Sequence, residues 1–321
     1  MKRFLKIVGI IVGGILLLVV GFAGYVQMKG IPTYDPPQAF ELKVEVTPQR
    51  VANGQRIATL LCMQCHANDN EKLTGKLIKD VPKEFGVIYS KNITHDPEVG
   101  IGNWTDGQLL YFLRTGSRAD GTYAPPYMPK YPLTADEDLK DIIAWLRSDS
   151  FGLEASKEEA PPAEPSLLTK ILCNTVFSPL PFPKGPIERP DTTDLIKYGE
   201  YVADRLIGCY GCHSRDFKTN NDLTPALSKG YYGGGNPLLN LEGATIPSTN
   251  ITFDETGIVK YSETDFVNVV RLGKRLDGTA TRYPMVPHYT LTENETRAIY
   301  AFLKTVPKIK SEGSIRIAGD E

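Results

Sequence analysis

The sequence predicts an all-α protein in which one apolar helix of membrane length precedes a tandem pair of small helical domains. Three observations predict this class: an uncharged run near the N-terminus, a duplication covering most of the remaining chain, and apolar residues at helical spacing with almost no strand-like alternation. A chain of 321 residues is long enough for two domains, each with its own core. Charged residues make up 23% with a formal net charge of -2, so no basic face calls for nucleic acid.

The first element, residues 1–30, opens with the cationic Lys2, Arg3 and Lys6 and then runs from Ile7 to Val26 without a charge. About 20 apolar residues cross the hydrocarbon core as a helix, so this segment is expected to be a membrane anchor. By the positive-inside tendency the cationic end stays in the cytoplasm and everything from Met28 onward lies on the far side. The alternative is a cleaved signal peptide, for which Gly21-Phe22-Ala23 offers small residues. The apolar run is longer than the roughly 7 to 15 residues of a typical signal core, which favours the anchor. Either way the bulk of the chain is exported.

Export governs how the five cysteines are read. "CMQCH" at residues 62–66 returns in outline as "CYGCH" at residues 209–213. Cys-x-x-Cys followed at once by His is the attachment pattern of a c-type haem: two thiols add to the vinyl groups of one porphyrin, and a helical turn puts the adjacent imidazole beneath the iron. Cys62 and Cys65 are thus expected to hold one haem with His66 as its axial ligand, and Cys209 and Cys212 a second with His213. A four-cysteine zinc site would leave both histidines unexplained and would have to join distant halves of the chain. Cys173 has no companion and is read as a packed free thiol.

The duplication extends well beyond these motifs. Residues 90–147 and 248–304 run in parallel at an offset of 157 or 158, and "GQRIATLLCMQCH" matches "GEYVADRLIGCYGCH" after a two-residue insertion in the second copy. The chain therefore divides into an anchor (1–30), a first domain (47–150), a Pro-rich linker (151–190) and a second domain (191–308). Each domain is expected to place a short helix before the motif, an irregular Gly/Pro/Asn-rich stretch after it, a helix over Leu109, Leu110 and Leu113 or over Phe266, Val269 and Val270, a Pro-rich loop, and a last helix. Leu139, Ile142, Ile143 and Leu146 give that last helix an apolar face. Thr134 and Thr292 are read as its N-caps, with Glu137 and Glu295 completing capping boxes.

A haem in an electron carrier needs a sixth ligand, and the repeat points to one. Met128 in "PPYMPKYPLT" and Met285 in "RYPMVPHYTLT" share one place, a Pro-rich loop before the last helix. Of the five methionines, Met1 and Met28 lie in or beside the anchor and Met63 lies inside a motif, which leaves Met128 and Met285 for His/Met ligation. His95 faces Phe253 in the other copy and His288 faces Lys130 or Tyr131, so neither is repeated. Arg114 and Arg271 are candidates for haem propionates, with an exposed structural arginine as the alternative, and Trp104 and Tyr261 for propionate donors or aromatic packing.

These motifs, with "NITHDPEVGIGNW", the pair "RTGSRADG" and "RLGKRLDG", the proline-flanked Met and "LTADEDLKDIIAWL", resemble the c-type cytochrome subunits of membrane-bound alcohol, gluconate and aldehyde dehydrogenases of Gram-negative bacteria. Those subunits usually carry three haem motifs, whereas this chain has two. The resemblance implies two class I cytochrome c-like domains, each with covalent haem c, on the periplasmic side of the inner membrane. It further implies electron transfer from a dehydrogenase or quinol-oxidising complex towards an oxidase or a soluble cytochrome. The chain is then an electron-transfer protein or the cytochrome subunit of an oxidoreductase complex. The alternatives are a diheme peroxidase-like enzyme, which requires an iron position that opens, and a haem subunit of a larger respiratory complex.

Overall fold

In the computed structural model, residues 1–35 and 41–311 are described. The chain is mostly helical. Helix α1 (Lys2–Lys29) is exposed along nearly its whole length, and by length and composition it is the one helix among the described residues able to cross a membrane. At about 1.5 Å per residue its 28 residues exceed the thickness of a hydrocarbon core. Its C-terminal end is tied down: Asn174 Nδ2 donates to Gly30 O (2.9 Å) and Lys170 Nζ to Gln27 Oε1 (3.0 Å).

The first half consists of α2 (Pro48–Leu61), the helical turn α3 (Met63–His66), α4 (Asp106–Thr115) and α5 (Asp136–Leu146). A stretch over 151–190 follows, containing α6 (Leu167–Thr175), and it lies against the first half throughout. Asn92 Nδ2 donates to the Ser156 and Glu158 carbonyls, Leu180 N–H to Thr115 O, and Phe182 stacks on Tyr111 at 5.4 Å. Strand β1 (Gly86–Val87) pairs antiparallel with β2 (Glu164–Pro165) across the same seam. The second half repeats the plan with α7 (Leu195–Glu200), α8 (Cys209–His213), α9 (Glu263–Leu272) and α10 (Glu293–Leu303). The starts and ends of α9 and α10 lie 157 residues beyond those of α4 and α5.

The insertion in the second copy has a structural counterpart. Between α7 and the second motif, Tyr201–Ile207 forms a π-helical stretch, closed by Gly208 in the left-handed conformation (φ 75°). A π turn takes up more residues than an α turn, so a lengthened sequence still delivers the motif next to the same helix crossing. That crossing is tight in both halves. A Cβ on Gly54 of α2 would sit 1.9 Å from the Asp141 carbonyl oxygen of α5, and one on Gly199 of α7 1.9 Å from the Ala298 oxygen of α10.

Two expectations are corrected. The hydroxyl of Thr134 does not cap α5, whose N-cap is Ala135; it donates instead to Arg205 O in the second half at 2.5 Å. Thr134 is fully buried, and Arg205 O is an inter-half acceptor that the local sequence does not reveal. Glu137 pairs with Arg50 and Lys140 rather than closing a box, whereas Thr292 and Glu295 do form one. Strands are also present, as the β1–β2 pair and a second ladder of β3 (Pro237–Leu239) with β4 (Thr245–Pro247).

The two halves are packed on each other, and one apolar cluster includes Ile57, Leu139 and Trp145 together with Tyr201, Ile299 and Leu303. Polar groups stitch the seam. Arg56 Nη1 meets Glu295 Oε2 at 2.8 Å, Thr290 Oγ1 donates to Arg56 O, and the Tyr201 hydroxyl donates to Asp138, which Arg189 also grips.

Candidate functional site

The first motif begins at the N-cap Cys62 of α3 and the second at the first residue of α8, Cys209, and in each the two cysteines and the histidine lie within about one helical turn. None of the five cysteines forms a disulfide. Burial, with a contribution from Cys65, pushes the Cys62 thiol up to about 12; burial, then the charges of Asp204 and Cys212, does the same to Cys209. Cys173 is buried at 1% exposure, as a packed thiol should be.

The histidines are oriented alike. His66 Nδ1 lies 2.7 Å from Lys91 O and His213 Nδ1 lies 2.8 Å from Thr249 O, residues in corresponding loops. A ring whose Nδ1 proton is given to a carbonyl presents Nε2 as a lone-pair donor, the arrangement in which histidine binds a metal. Burial lowers the pKa of both rings, only partly opposed by the carbonyl hydrogen bond, so both are held neutral. The loops that supply these carbonyls are fixed by their neighbours. Ser90 Oγ donates to Cys65 O (2.5 Å), and Asn92 Oδ1 accepts from Thr94 N–H and Oγ1. Asn250 and Thr252 repeat the second contact, and Asn250 Nδ2 also clasps Ile309 O at 2.7 Å. The N–H groups of Gly75 and Gly234 complete the frame by donating to the carbonyls of His66 and His213. These Asn-Ile-Thr positions were visible only as repeated letters; their task of holding the histidine's acceptor depends on segments about 60 residues away.

Met128 and Met285 occupy matching turns, with Met128 N–H donating to Pro125 O and Met285 N–H to Arg282 O, and both side chains are half-buried. The two loops pass their attachment motifs. Tyr131, three residues after Met128, is raised well above the usual phenol range by burial and by the nearby Cys62 and Cys65. His288, three residues after Met285, lies near enough to His213 to help lower that ring's pKa, while its own Nδ1 is held by Val286 O at 2.8 Å. His95 is tied away from the site through Nε2 to Leu146 O.

The arginines part company. Arg114 is 1% exposed and committed to the protein: Nη1 donates to Tyr131 O and Pro132 O, and Nη2 to Asp136 Oδ1 at 2.5 Å. The second half has Glu293 where the first has Asp136, but that carboxylate pairs with Arg297 at 2.9 Å, and Arg271 keeps a buried Nε without a partner. An orphaned buried guanidinium donor suits an anionic group such as a propionate. Trp104 packs edge-on against Phe112, and Tyr261 offers its carbonyl to the Tyr300 hydroxyl.

The donor set fits haem c. Paired thiols, a neutral imidazole with a free Nε2 and a thioether loop are the groups that hold it, and no cluster of three or more His, Cys, Asp or Glu side chains suited to a metal ion occurs among the described residues. Residues 51–150, in the first half, match the family described as cytochrome c, a domain type that implies covalently bound haem c. The chain is also similar, as its motifs suggest, to cytochrome subunits of dehydrogenases. It is 28% identical over 273 residues to the alcohol dehydrogenase (quinone) cytochrome c subunit of Gluconobacter oxydans, covering 81% of this chain and 55% of that one. With the fructose dehydrogenase cytochrome subunit of Gluconobacter japonicus it shares 29% identity, covering 81% and 53%. The chain thus spans about half the length of these curated relatives. A diheme cytochrome c-type protein of Cereibacter sphaeroides is 26% identical over 317 residues, 92% of this chain and 97% of that one.

Proposed function

We propose that this chain is a diheme c-type cytochrome, held by α1 in the inner membrane with both haem-binding halves on the periplasmic side. It takes electrons from a dehydrogenase or quinol-oxidising partner and passes them towards an oxidase or a soluble cytochrome. His66 with Met128 would hold one haem iron, and His213 with Met285 the other. When bound, haem c supplies an iron that cycles between ferric and ferrous states, one electron at a time.

The observation that carries this reading is the duplication of the whole site, with the carbonyl-oriented histidine and the methionine loop in both halves. A peroxidase requires unlike sites, one of them with an iron position that opens, and the repeated loops favour a carrier. The similarity to dehydrogenase cytochrome subunits supports a dehydrogenase as donor, and the length match to a diheme relative supports two haems. The cationic Lys2, Arg3 and Lys6 support the orientation of α1.

The test is axial. A thioether ligand favours the ferrous state relative to imidazole, so Met128→His and Met285→His should each lower one midpoint potential and leave the other nearly fixed. Met128→Ala and Met285→Ala should each remove about half of the weak long-wavelength sulfur-to-iron absorption of the oxidised protein if the two sites contribute alike. If Met285→Ala changed neither spectrum nor potential while His288→Ala changed both, the second pair would be bis-histidine. The methionine assignment would then fail for that half.

A further inference from the structure

Helix α6 turns its polar residues inward and its apolar ones outward. Its buried positions are Thr169 and Cys173; Thr169 Oγ1 donates to Phe85 O at 2.7 Å, and Ser166 Oγ, at the N-cap, donates to Glu84 O at 2.6 Å. At about 100° per residue, the adjoining flank carries Lys170 and Asn174, the two residues that bind Gln27 and Gly30 at the end of α1. The rest of the circumference presents Leu167, Leu168, Ile171, Leu172, Thr175 and the C-cap Val176. Thr175 gives its hydroxyl proton to Ile171 O at 2.8 Å, so the polar atom on this side is satisfied within the helix. Leu168 is 42% exposed and Val176 66%. A contiguous apolar face rimmed by polar residues marks a surface that something else covers.

The level of α1 identifies the cover. Its uncharged run, Ile7–Val26, is about 30 Å long at about 1.5 Å per residue, the thickness of a hydrocarbon core. Gln27 and Gly30 therefore stand in the headgroup layer. Tyr25 and Lys29, whose ammonium lies 5.8 Å from the Tyr25 ring, supply the aromatic and cationic groups suited to that layer. Because α6 is hydrogen-bonded to Gln27 and Gly30, it lies at the same depth.

We propose that α6 is an interfacial helix, lying in the headgroup layer of the bilayer that α1 crosses, with the side of Leu168, Leu172 and Val176 buried in lipid. This inference rests on the reading of α1 as a membrane span. A helix of this kind lies in the plane of the interface with its apolar face about 5–10 Å into the boundary between headgroups and acyl chains, while a lysine stem extends its ammonium back to water. Lipid is the occupant because α1 holds the face at that depth with or without a protein partner. Since the inward side of α6 binds Phe85 and Glu84, and Leu180 N–H binds Thr115 O, the first half is seated on the membrane through α6 rather than swinging on a tether.

The experiment is thiol labelling of the full-length holoprotein in nanodiscs of phosphatidylcholine and phosphatidylglycerol, a single copy per disc, with a charged, water-soluble maleimide followed by mass spectrometry. Leu168→Cys and Val176→Cys are compared with Leu227→Cys, a second-half position that is 71% exposed. Each rate is divided by that of the same variant unfolded in urea, and the wild type gives the background from its own cysteines. Lipid should slow both α6 positions by about tenfold or more relative to Leu227→Cys, because the reactive thiolate is disfavoured in apolar surroundings and each unit of raised pKa is a factor of about ten. Unchanged haem absorption shows that each variant is folded, and the two positions are read independently. Labelling of either at the rate of Leu227→Cys overturns the inference. So does protection that appears only in discs holding two copies, which would make the face a contact between chains. Recovery of the protein outside the discs sinks the membrane-span reading of α1, whereas protein held in the discs but labelled freely at α6 sinks the interfacial helix alone.

Discussion

Replacing Gly199 by alanine places a methyl group where α7 meets α10. The new Cβ would lie 1.9 Å from Ala298 O, 2.4 Å from its carbonyl carbon and 2.9 Å from Ile299 N, whereas ordinary contact begins near 3.4 Å. The obstructing atoms are backbone, so no side chain can rotate away and the helices must part by roughly 1.5 Å. A gap of about 0.5–1 Å already forfeits a quarter to a half of the dispersion attraction, and this crossing holds Tyr198, Tyr201, Val202, Ile299 and Leu303 in the shared core. The expected loss is about 3 kcal/mol, the upper end of the overpacking range. Urea unfolding of the holoprotein, followed by near-ultraviolet circular dichroism, measures it. Gly185→Ala is the control: it lies outside both motifs and both helix crossings, its Cβ would meet no atom within 4 Å, and it should change stability by less than about 0.5 kcal/mol. A loss below about 0.5 kcal/mol for Gly199→Ala would refute the argument that glycine is required at this crossing, and Gly54→Ala should repeat the result in the first half.

Asp204 is buried beneath Tyr231 and Tyr232, whose hydroxyls donate to it at 2.5 and 2.6 Å, yet desolvation pushes its carboxyl up to about 6 against an ordinary 3.8. A raised carboxyl pKa means that the folded state binds the proton more tightly. The associated stability is present below about pH 4 and is lost as pH rises through 6, by at most about 3 kcal/mol, so Asp204→Asn should flatten the fall in unfolding free energy over that interval. Arg56→Ala leaves the buried Glu295 with the Tyr198 hydroxyl and the Thr292 N–H alone; because Arg56 is itself 26% exposed, the expected cost is about 2 kcal/mol, recovered in part by Glu295→Gln in a thermal melt. Asn250→Ala removes the clasp on Ile309 O and the acceptor for Thr252, and should lower stability by about 2 kcal/mol and shift the second haem's potential more than the first's in a redox titration.

The local geometry of the two motifs was legible in the sequence: Cys62, Cys65 and His66 lie within about one helical turn, and so do Cys209, Cys212 and His213. The helices were legible for a related reason, since the apolar positions of α5 recur at the period of a helix. The duplication added the methionine loops and the cap at Thr292, because two copies of a pattern separate a repeated requirement from an accident. Contacts between the halves were not legible. Thr134 caps its own helix by local rules, but Arg205 O, 71 residues further on, takes its hydroxyl once both are shut away from water. Likewise Arg114 and Arg271 occupy equivalent positions, and only folding shows that Asp136 and two backbone carbonyls saturate the first while the second keeps a buried donor unpaired. Sequence fixes which groups each half presents within a turn or a helix face, and tertiary packing alone decides which distant donors, acceptors and charges meet after water has been excluded between them.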